Sequence, residues 1–248
     1  MGLRDWLRRR RTAPRQVRHG DVLDLRFESG VSQSRMRVDA PDELVVDYTR
    51  TMLGALLWQP SPRRIGMVGL GGGSQAKFCL RHLPDARIEA FEIDARVLAM
   101  RHDFHVPDDD RLQLVHGDAA QLMPQRRGEY DLLLIDGYDT TGIPAVLSTQ
   151  SFIDDCRDAL AVDGVLATNL LSADHAEHFA RLQMAFGHNV LLVDEPRQSN
   201  RVGFAWREGM DAALAASRLA SFSMDPAGLR QLQPVLRRVA EALDRSPA

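Results

Sequence analysis

Apolar positions change their period along this chain, and each change marks an element. From Gly20 to Asp39 they alternate: Val22, Leu23, Leu25 and Phe27 lead to a turn at Gly30, and Met36 and Val38 follow among polar neighbours, which predicts a β-hairpin. Pro41 and Asp42 then open a helix whose apolar residues Leu44, Val45, Tyr48, Met52, Leu56 and Leu57 recur mostly every three or four positions. Pro60-Ser61-Pro62 ends it. Beyond this point short apolar runs alternate with helical stretches, the pattern of a doubly wound parallel sheet. Strands are expected at about 65–69, 88–92, 112–116, 132–136, 164–169, 190–194 and 202–206. Helices are expected at 75–83, 95–104, 119–123, 149–160 and 173–186, joined by right-handed crossovers. After Pro226, Leu229, Leu232, Leu236, Val239 and Leu243 stand at helical spacing and predict one more amphipathic helix. The expected organisation is a basic arm over 1–18, a small β-hairpin and helix module over 19–62, and an α/β domain with its C-terminal helix over 63–248.

Composition narrows the class. The 248 residues are 44% hydrophobic and 26% charged with a net charge of −3, which excludes collagen, coiled coil and wholesale disorder. No apolar run approaches the roughly 20 residues that cross a bilayer, so no membrane span is expected. Cys79 and Cys156 stand alone and form no CxxC, which argues against a disulfide framework or a zinc site and makes a reducing cytoplasm the default compartment. Lys77 is the single lysine among 31 basic residues, a bias read as genomic. Arg4, Arg8, Arg9, Arg10, Arg11, Arg15 and Arg18 crowd the start with only Asp5 against them. That segment reads as an untethered tail; anionic-surface binding or organelle targeting is the alternative. No nucleic-acid partner is expected, because the remainder is acidic and aromatics make up only 6%.

Candidate chemistry gathers where the strands should end. The first strand of the sheet runs into Val68-Gly69-Leu70-Gly71-Gly72-Gly73-Ser74, and a helix follows at once. Glycines there let the backbone turn tightly and approach a ligand, and the helix start offers unpaired N–H groups. The second strand ends at Glu92, 19 residues after Gly73, where a carboxylate suits the two hydroxyls of a ribose. Asp118, after the third strand, suits an adenine amino group and reads equally as a helix N-cap. The fourth strand delivers Asp136, followed by Asp139, to the same carboxyl edge. Two carboxylates there suit a cationic substrate, since they can orient an amine and accept its proton; otherwise Asp136 simply ends a buried strand and Asp139 caps a turn. A dinucleotide dehydrogenase fits less well, because Ser74 stands where the third glycine of its fingerprint would fall. His102 and His105 with Asp108, Asp109 and Asp110 lack a third metal ligand at clear spacing, and His175 and His178 read as surface residues of one helix face.

The glycine loop, Glu92-Ile93-Asp94, Gly117-Asp118, and Asp136-x-x-Asp139 followed by Gly142 and Pro144 resemble the spermidine synthase (polyamine aminopropyltransferase) family. The resemblance runs from about 42 to 206. It implies a seven-stranded, Rossmann-like, class I methyltransferase-like sheet, a homodimer, and a role in polyamine biosynthesis. The implied reaction transfers an aminopropyl group from decarboxylated S-adenosylmethionine to an amine such as putrescine, with no metal. Glu92 would then hold the ribose, Asp118 the adenine, and the loop Gly69, Gly71, Gly72 and Gly73 the donor. Asp136 would orient and deprotonate the amine, with Asp139 and Tyr48 beside it. Three departures stand out. The family's loop reads Gly-Gly-Gly-Asp-Gly-Gly, and an ungapped match puts Gly72 where its donor-selecting acid belongs. The family's Tyr-Gln pair reads Tyr48-Thr49, and its N-terminal β domain is cut to about one hairpin. An acid in that loop would repel the carboxylate of intact S-adenosylmethionine, so its absence makes a methyltransferase the main alternative. A non-catalytic nucleoside-binding protein of the same fold is the third reading.

Overall fold

The computed structural model describes residues 13–27, 32–138, 142–171, 175–197, 199–208 and 210–245. Its N-terminal part is a three-stranded antiparallel sheet, β1 (Arg15–His19), β2 (Val22–Arg26) and β3 (Ser32–Arg37), in that order. The alternation over 20–39 predicts only two of these strands. The first, exposed at four of its five positions, carries no apolar alternation to reveal it, and it takes in Arg15 and Arg18 from the expected basic arm. Leu23, Leu25, Phe27 and Met36 pack from this sheet onto Val97, Phe104 and Val106.

A helix does not begin at Pro41. It runs as α1 (Asp47–Met52) into a 3₁₀ turn over Leu53–Leu57. The residues before it lie in turns and bends, and the Leu44 N–H is taken by the Gln231 side chain at 2.9 Å. Trp58 then stacks on Phe204 and Trp206, with ring centroids 5.4 and 5.0 Å away. Residues 52–58 are therefore buried in the core of the large sheet.

That sheet holds β4 (Arg64–Val68), β5 (Arg87–Glu92), β6 (Leu112–His116), β7 (Tyr130–Ile135), β8 (Leu160–Leu171), β9 (Val190–Asp194) and β10 (Asn200–Trp206), ordered β6-β5-β4-β7-β8-β10-β9. The strands stand where the apolar runs predict them, and the first five are parallel. The purely parallel expectation fails at the end of the chain, where β10 enters antiparallel between β8 and β9. Strand direction is set by the connection: only five residues link β9 to β10, too few for the dozen or so that a parallel crossover needs.

The flanking helices are α2 (Ser74–His82), α3 (Ala95–Ala99), α4 (Ala119–Leu122), α5 (Gln150–Ala159), α6 (His175–Phe186), α7 (Ala212–Ser217) and α8 (Pro226–Arg245). Helix α3 stops well short of the expected 104. The chain instead turns through His105 at φ 55° ahead of Val106-Pro107, where proline disfavours a helical predecessor. Helix α7 has too little apolar periodicity to be read in advance. Helix α8 buries Leu232, Leu236, Val239 and Leu243, as its spacing predicts.

Lys77 has a structural place that composition does not suggest. On α2 and 4% exposed, it donates to the Phe104 carbonyl at 2.6 Å and reaches the Met36 sulfur at 3.0 Å. Burial lowers its pKa from 10.5 to about 8. Between those values the unfolded chain holds a proton at this residue that the folded one has released, so the contribution of Lys77 to stability should rise with pH from about 8 to 10.5. That contribution should amount to about 3 kcal/mol. Urea titrations across that interval should show the wild type gaining on Lys77→Met by that amount as pH rises. Both proteins share an opposing loss, because burial raises the pKa of Cys79, Cys156, Tyr48 and Tyr130 and these groups ionise first in the unfolded chain. A gap between the two proteins that stays constant with pH would overturn the assignment to Lys77.

Candidate active site

Four parallel strands end at one level, tied by backbone hydrogen bonds from Gly69 N–H to Phe91 O (2.9 Å), Asp136 N–H to Val68 O (2.9 Å) and Gly117 N–H to Glu92 O (3.1 Å). Parallel strands put all their carboxyl ends on one edge, so the loops after β4, β5, β6 and β7 converge there. They enclose a cavity of about 460 Å³, closed on its far side by Leu25, Phe27 and Ser34 of the N-terminal sheet and by Tyr48 and Thr49 of α1.

The glycine loop has two faces. Gly69, at φ 92°, presses against the end of β7, where a Cβ would stand 2.5 Å from the Asp136 backbone oxygen. Gly69 and Gly71 line the cavity. Gly72 faces the other way: a Cβ there would meet the Ser34 Oγ at 2.7 Å and the Phe104 ring at 2.9 Å, and one on Gly73 would meet Val106. Among the four loop glycines singled out in the sequence, these two shape the loop from behind.

Glu92 is buried, and each of its oxygens holds one loop: Oε2 accepts from the Leu70 N–H at 3.1 Å, and Oε1 from the Asp94 N–H at 2.9 Å. A carboxylate accepts about four hydrogen bonds, so half its capacity is left for the two hydroxyls of a ribose. Of the two roles that the sequence leaves open for Asp118, the fold shows the helix cap. Its Oδ1 caps α4 through the Ala120 N–H at 2.9 Å, and the residue also lines the cavity.

Asp136 stands at the opposite end. The Tyr48 hydroxyl donates to its Oδ2 at 3.1 Å, and the Asn169 amide to its Oδ1 at 2.9 Å. Desolvation raises the Asp136 pKa, and these two hydrogen bonds oppose the rise. The same burial, with the carboxylate beside it, pushes the Tyr48 phenol well above its usual range. Asn169 is held in turn, its backbone oxygen by the Tyr138 hydroxyl at 2.8 Å and its side-chain oxygen by the Asn200 amide at 2.8 Å. Asp139, with Thr140 and Thr141, lies outside the described residues.

The sequence reading missed Asn169 and Asn200. Asn169 carries a weak signal, as a polar residue near the end of an apolar strand; Asn200 carries none, because only the antiparallel direction of β10 brings its first residue to this edge. His178 also departs from expectation. It is buried rather than on the surface, with its Nδ1 3.4 Å from the Ser148 Oγ, and burial lowers its pKa to about 4. Cys79 and Cys156 are buried and unpaired. Among the described residues no cluster of three His, Cys, Asp or Glu could hold a metal ion, and no helix is long and apolar enough to cross a membrane.

Known proteins resemble this chain in sequence and in fold. A family model described as the spermine/spermidine synthase domain fits residues 47–180. A polyamine aminopropyltransferase of Chromobacterium violaceum is 36% identical over 193 residues, covering 76% of this chain and 74% of that one. Among solved structures, a probable spermidine synthase from Corynebacterium glutamicum is 18% identical, superposes with a TM-score of 0.72, and covers 96% of this chain and 92% of its own. Human methyltransferase-like protein 13, solved in complex with SAH, is 22% identical with a TM-score of 0.62, over 79% of this chain and 93% of its own. At such identities the structural matches speak to the fold, which is the class I methyltransferase-like one.

Proposed function

The chain belongs to the spermine/spermidine synthase family, and from that premise we propose that it transfers an aminopropyl group from decarboxylated S-adenosylmethionine to the nitrogen of a small amine such as putrescine. The observation that carries this reading is the spacing of acids along one cavity: Glu92 and Asp118 at the nucleoside end, and Asp136 between Tyr48 and Asn169 at the other.

The sulfonium donor supplies an activated carbon. The attacking nitrogen arrives as an ammonium and must lose a proton before it has a lone pair to use. Asp136, ionised and held on both oxygens, draws the ammonium in and accepts that proton. The nitrogen then attacks the methylene carbon beside sulfur, the N–C bond forms as the C–S bond breaks, and the electron pair leaves on sulfur as neutral methylthioadenosine. No covalent enzyme intermediate is needed, so the contribution of the chain is positioning and charge. Asp139 is assigned to the same amine by its place in the Asp-x-x-Asp motif.

A methyl donor is the second reading, favoured by one observation. Position 72 bears no acid, and Ser34 and Phe104 fill the space an acid would take, so nothing at that position repels a donor carboxylate. Calorimetric titration with decarboxylated S-adenosylmethionine, intact S-adenosylmethionine and methylthioadenosine, each with and without putrescine, separates the readings. Preference for the decarboxylated donor, strengthened by putrescine, is the expected result. Preference for the intact donor would replace aminopropyl by methyl transfer, and no binding at all would leave a fold without this ligand.

Glu92→Ala should weaken methylthioadenosine by about 30-fold or more, because it removes acceptors for the ribose and unties the Leu70 and Asp94 loops together. The same titration measures it, and an unchanged dissociation constant would move the ribose elsewhere.

A further inference from the structure

We propose that Asn200 is a positioning residue of this site, which holds the amide of Asn169 in the one orientation that donates to Asp136. The role of Asp136 in proton transfer rests on the reaction proposed above; the relay itself rests on geometry.

An asparagine amide has a donor end and an acceptor end of nearly the same shape. Asp136 in its ionised form only accepts. Asn169 therefore helps it with its nitrogen and repels it with its oxygen, and a half-turn of the side chain converts one into the other. The Asn200 Nδ2 donates to the Asn169 Oδ1 at 2.8 Å, while the Asn169 Nδ2 donates to the Asp136 Oδ1 at 2.9 Å. The first bond opposes a half-turn of Asn169 alone, because it would bring two N–H donors face to face and set an oxygen against the carboxylate. Each amide also polarises the next, which strengthens the bond that ends on Asp136.

The backbone around the relay is fixed. Asn200 opens β10 opposite Leu171, Asn169 pairs with Val202, and the Asn200 carbonyl accepts the Glu195 N–H at 3.1 Å across the β9–β10 turn. With both strands pinned, the two side chains meet at the cavity wall. The phenols of Tyr48, on α1, and Tyr138, on the loop of Asp136 itself, line the cavity beside the carboxylate, and Glu92 and Asp118 line it from β5 and the loop after β6. Glu195, whose N–H bonds to the Asn200 carbonyl, is buried, and its own carboxylate accepts from Arg238 at 2.8 Å. Tyr48 donates to the other carboxylate oxygen, so it cannot take over the place of Asn169.

Loss of Asn200 should let the Asn169 amide rotate, weaken the bond that favours the charged carboxylate, and make Asp136 easier to protonate. The side-chain carboxyl ¹³C signal of Asp136, assigned through its loss in Asp136→Asn, reports this in the ligand-free protein. Asn200→Leu keeps the size and drops the donor; Asn200→Ala serves if leucine does not fold. Either folded variant should move the Asp136 midpoint up by about half a pH unit or more. With decarboxylated S-adenosylmethionine and putrescine, the acid limb of kcat/KM should move by the same amount, and kcat should fall about tenfold with the donor KM unchanged. A midpoint that stays at its wild-type value in a folded variant overturns the relay. A wild type that releases no methylthioadenosine overturns the reaction instead, and the titration, which needs no turnover, still decides the relay.

Discussion

Asp136→Asn is expected to lower turnover about a thousandfold or more while changing methylthioadenosine affinity by no more than a few fold. The substitution keeps the shape of the side chain and its neighbours. Asn169 can still donate to the remaining oxygen, and the Tyr48 hydroxyl, which accepts as readily as it donates, can turn to take the new N–H. What disappears is the charge that draws in an ammonium and the lone pair that receives its proton. The nucleoside end, held by Glu92 and the glycine loop, is left as it was. Single-turnover release of methylthioadenosine and calorimetry of the same compound measure the two halves of the prediction. Turnover within tenfold of wild type would remove Asp136 as the base. The wild-type pH profile carries the same information: desolvation raises the Asp136 pKa, and the base acts only when ionised, so activity should rise with pH through a limb above the ordinary carboxylate range. In Asp136→Asn that limb should be missing from whatever activity is left.

The largest effect on stability is expected at Gly69. A side chain there has to adopt φ 92° and place its Cβ 2.5 Å from the Asp136 backbone oxygen just past β7, and that residue is tied in place by its N–H bond to Val68 O. Gly69→Ala should cost about 4 kcal/mol or more, from backbone strain and collision together. Gly71→Ala is the comparison. Its φ is 53°, but an added Cβ would find the Ser34 Cβ at 3.4 Å, so only the left-handed strain of about 1–2 kcal/mol remains. Urea unfolding of the two variants beside the wild type checks the ranking. If Gly69→Ala were no less stable than Gly71→Ala, the contact between the loop and β7 would not be what constrains this position. The site should suffer with the fold, because the Asp136 N–H bonds to Val68 O, directly before the glycine, so a shift of the loop displaces the carboxylate from Tyr48 and Asn169.

Much of this was legible in the order of residues alone. Apolar runs separated by helical stretches place all seven strands of the large sheet. The inner strands are apolar over most of their length because both faces are covered, and the edge strands β6 and β9 still carry Leu112, Leu114 and Val115, and Val190 to Val193. Glycines, Glu92, Asp118 and Asp136 could be assigned to one edge because parallel strands deliver the residue after each strand to the same end. Each of those inferences needs only local pattern and the direction of the chain. Where pattern is missing, inference stops: exposed β1 shows no alternation, and α7 no apolar stripe.

Three things were decided by the tertiary structure. The reversal of β10 brings Asn200 against Asn169, a contact that depends on which strand inserts where rather than on either neighbourhood in sequence. The packing of Ser34 and Phe104 against the glycine loop fills the space beside Gly72, so a side chain at that position would have to displace them. The burial of Lys77 and His178 comes from neighbours brought by distant segments, Met36 and Phe104 for one and Ser148 for the other. Local sequence determines which elements form and which polar groups stand at their ends; burial, pKa and hydrogen-bond partners are properties of the space between elements, and only the assembled fold sets them.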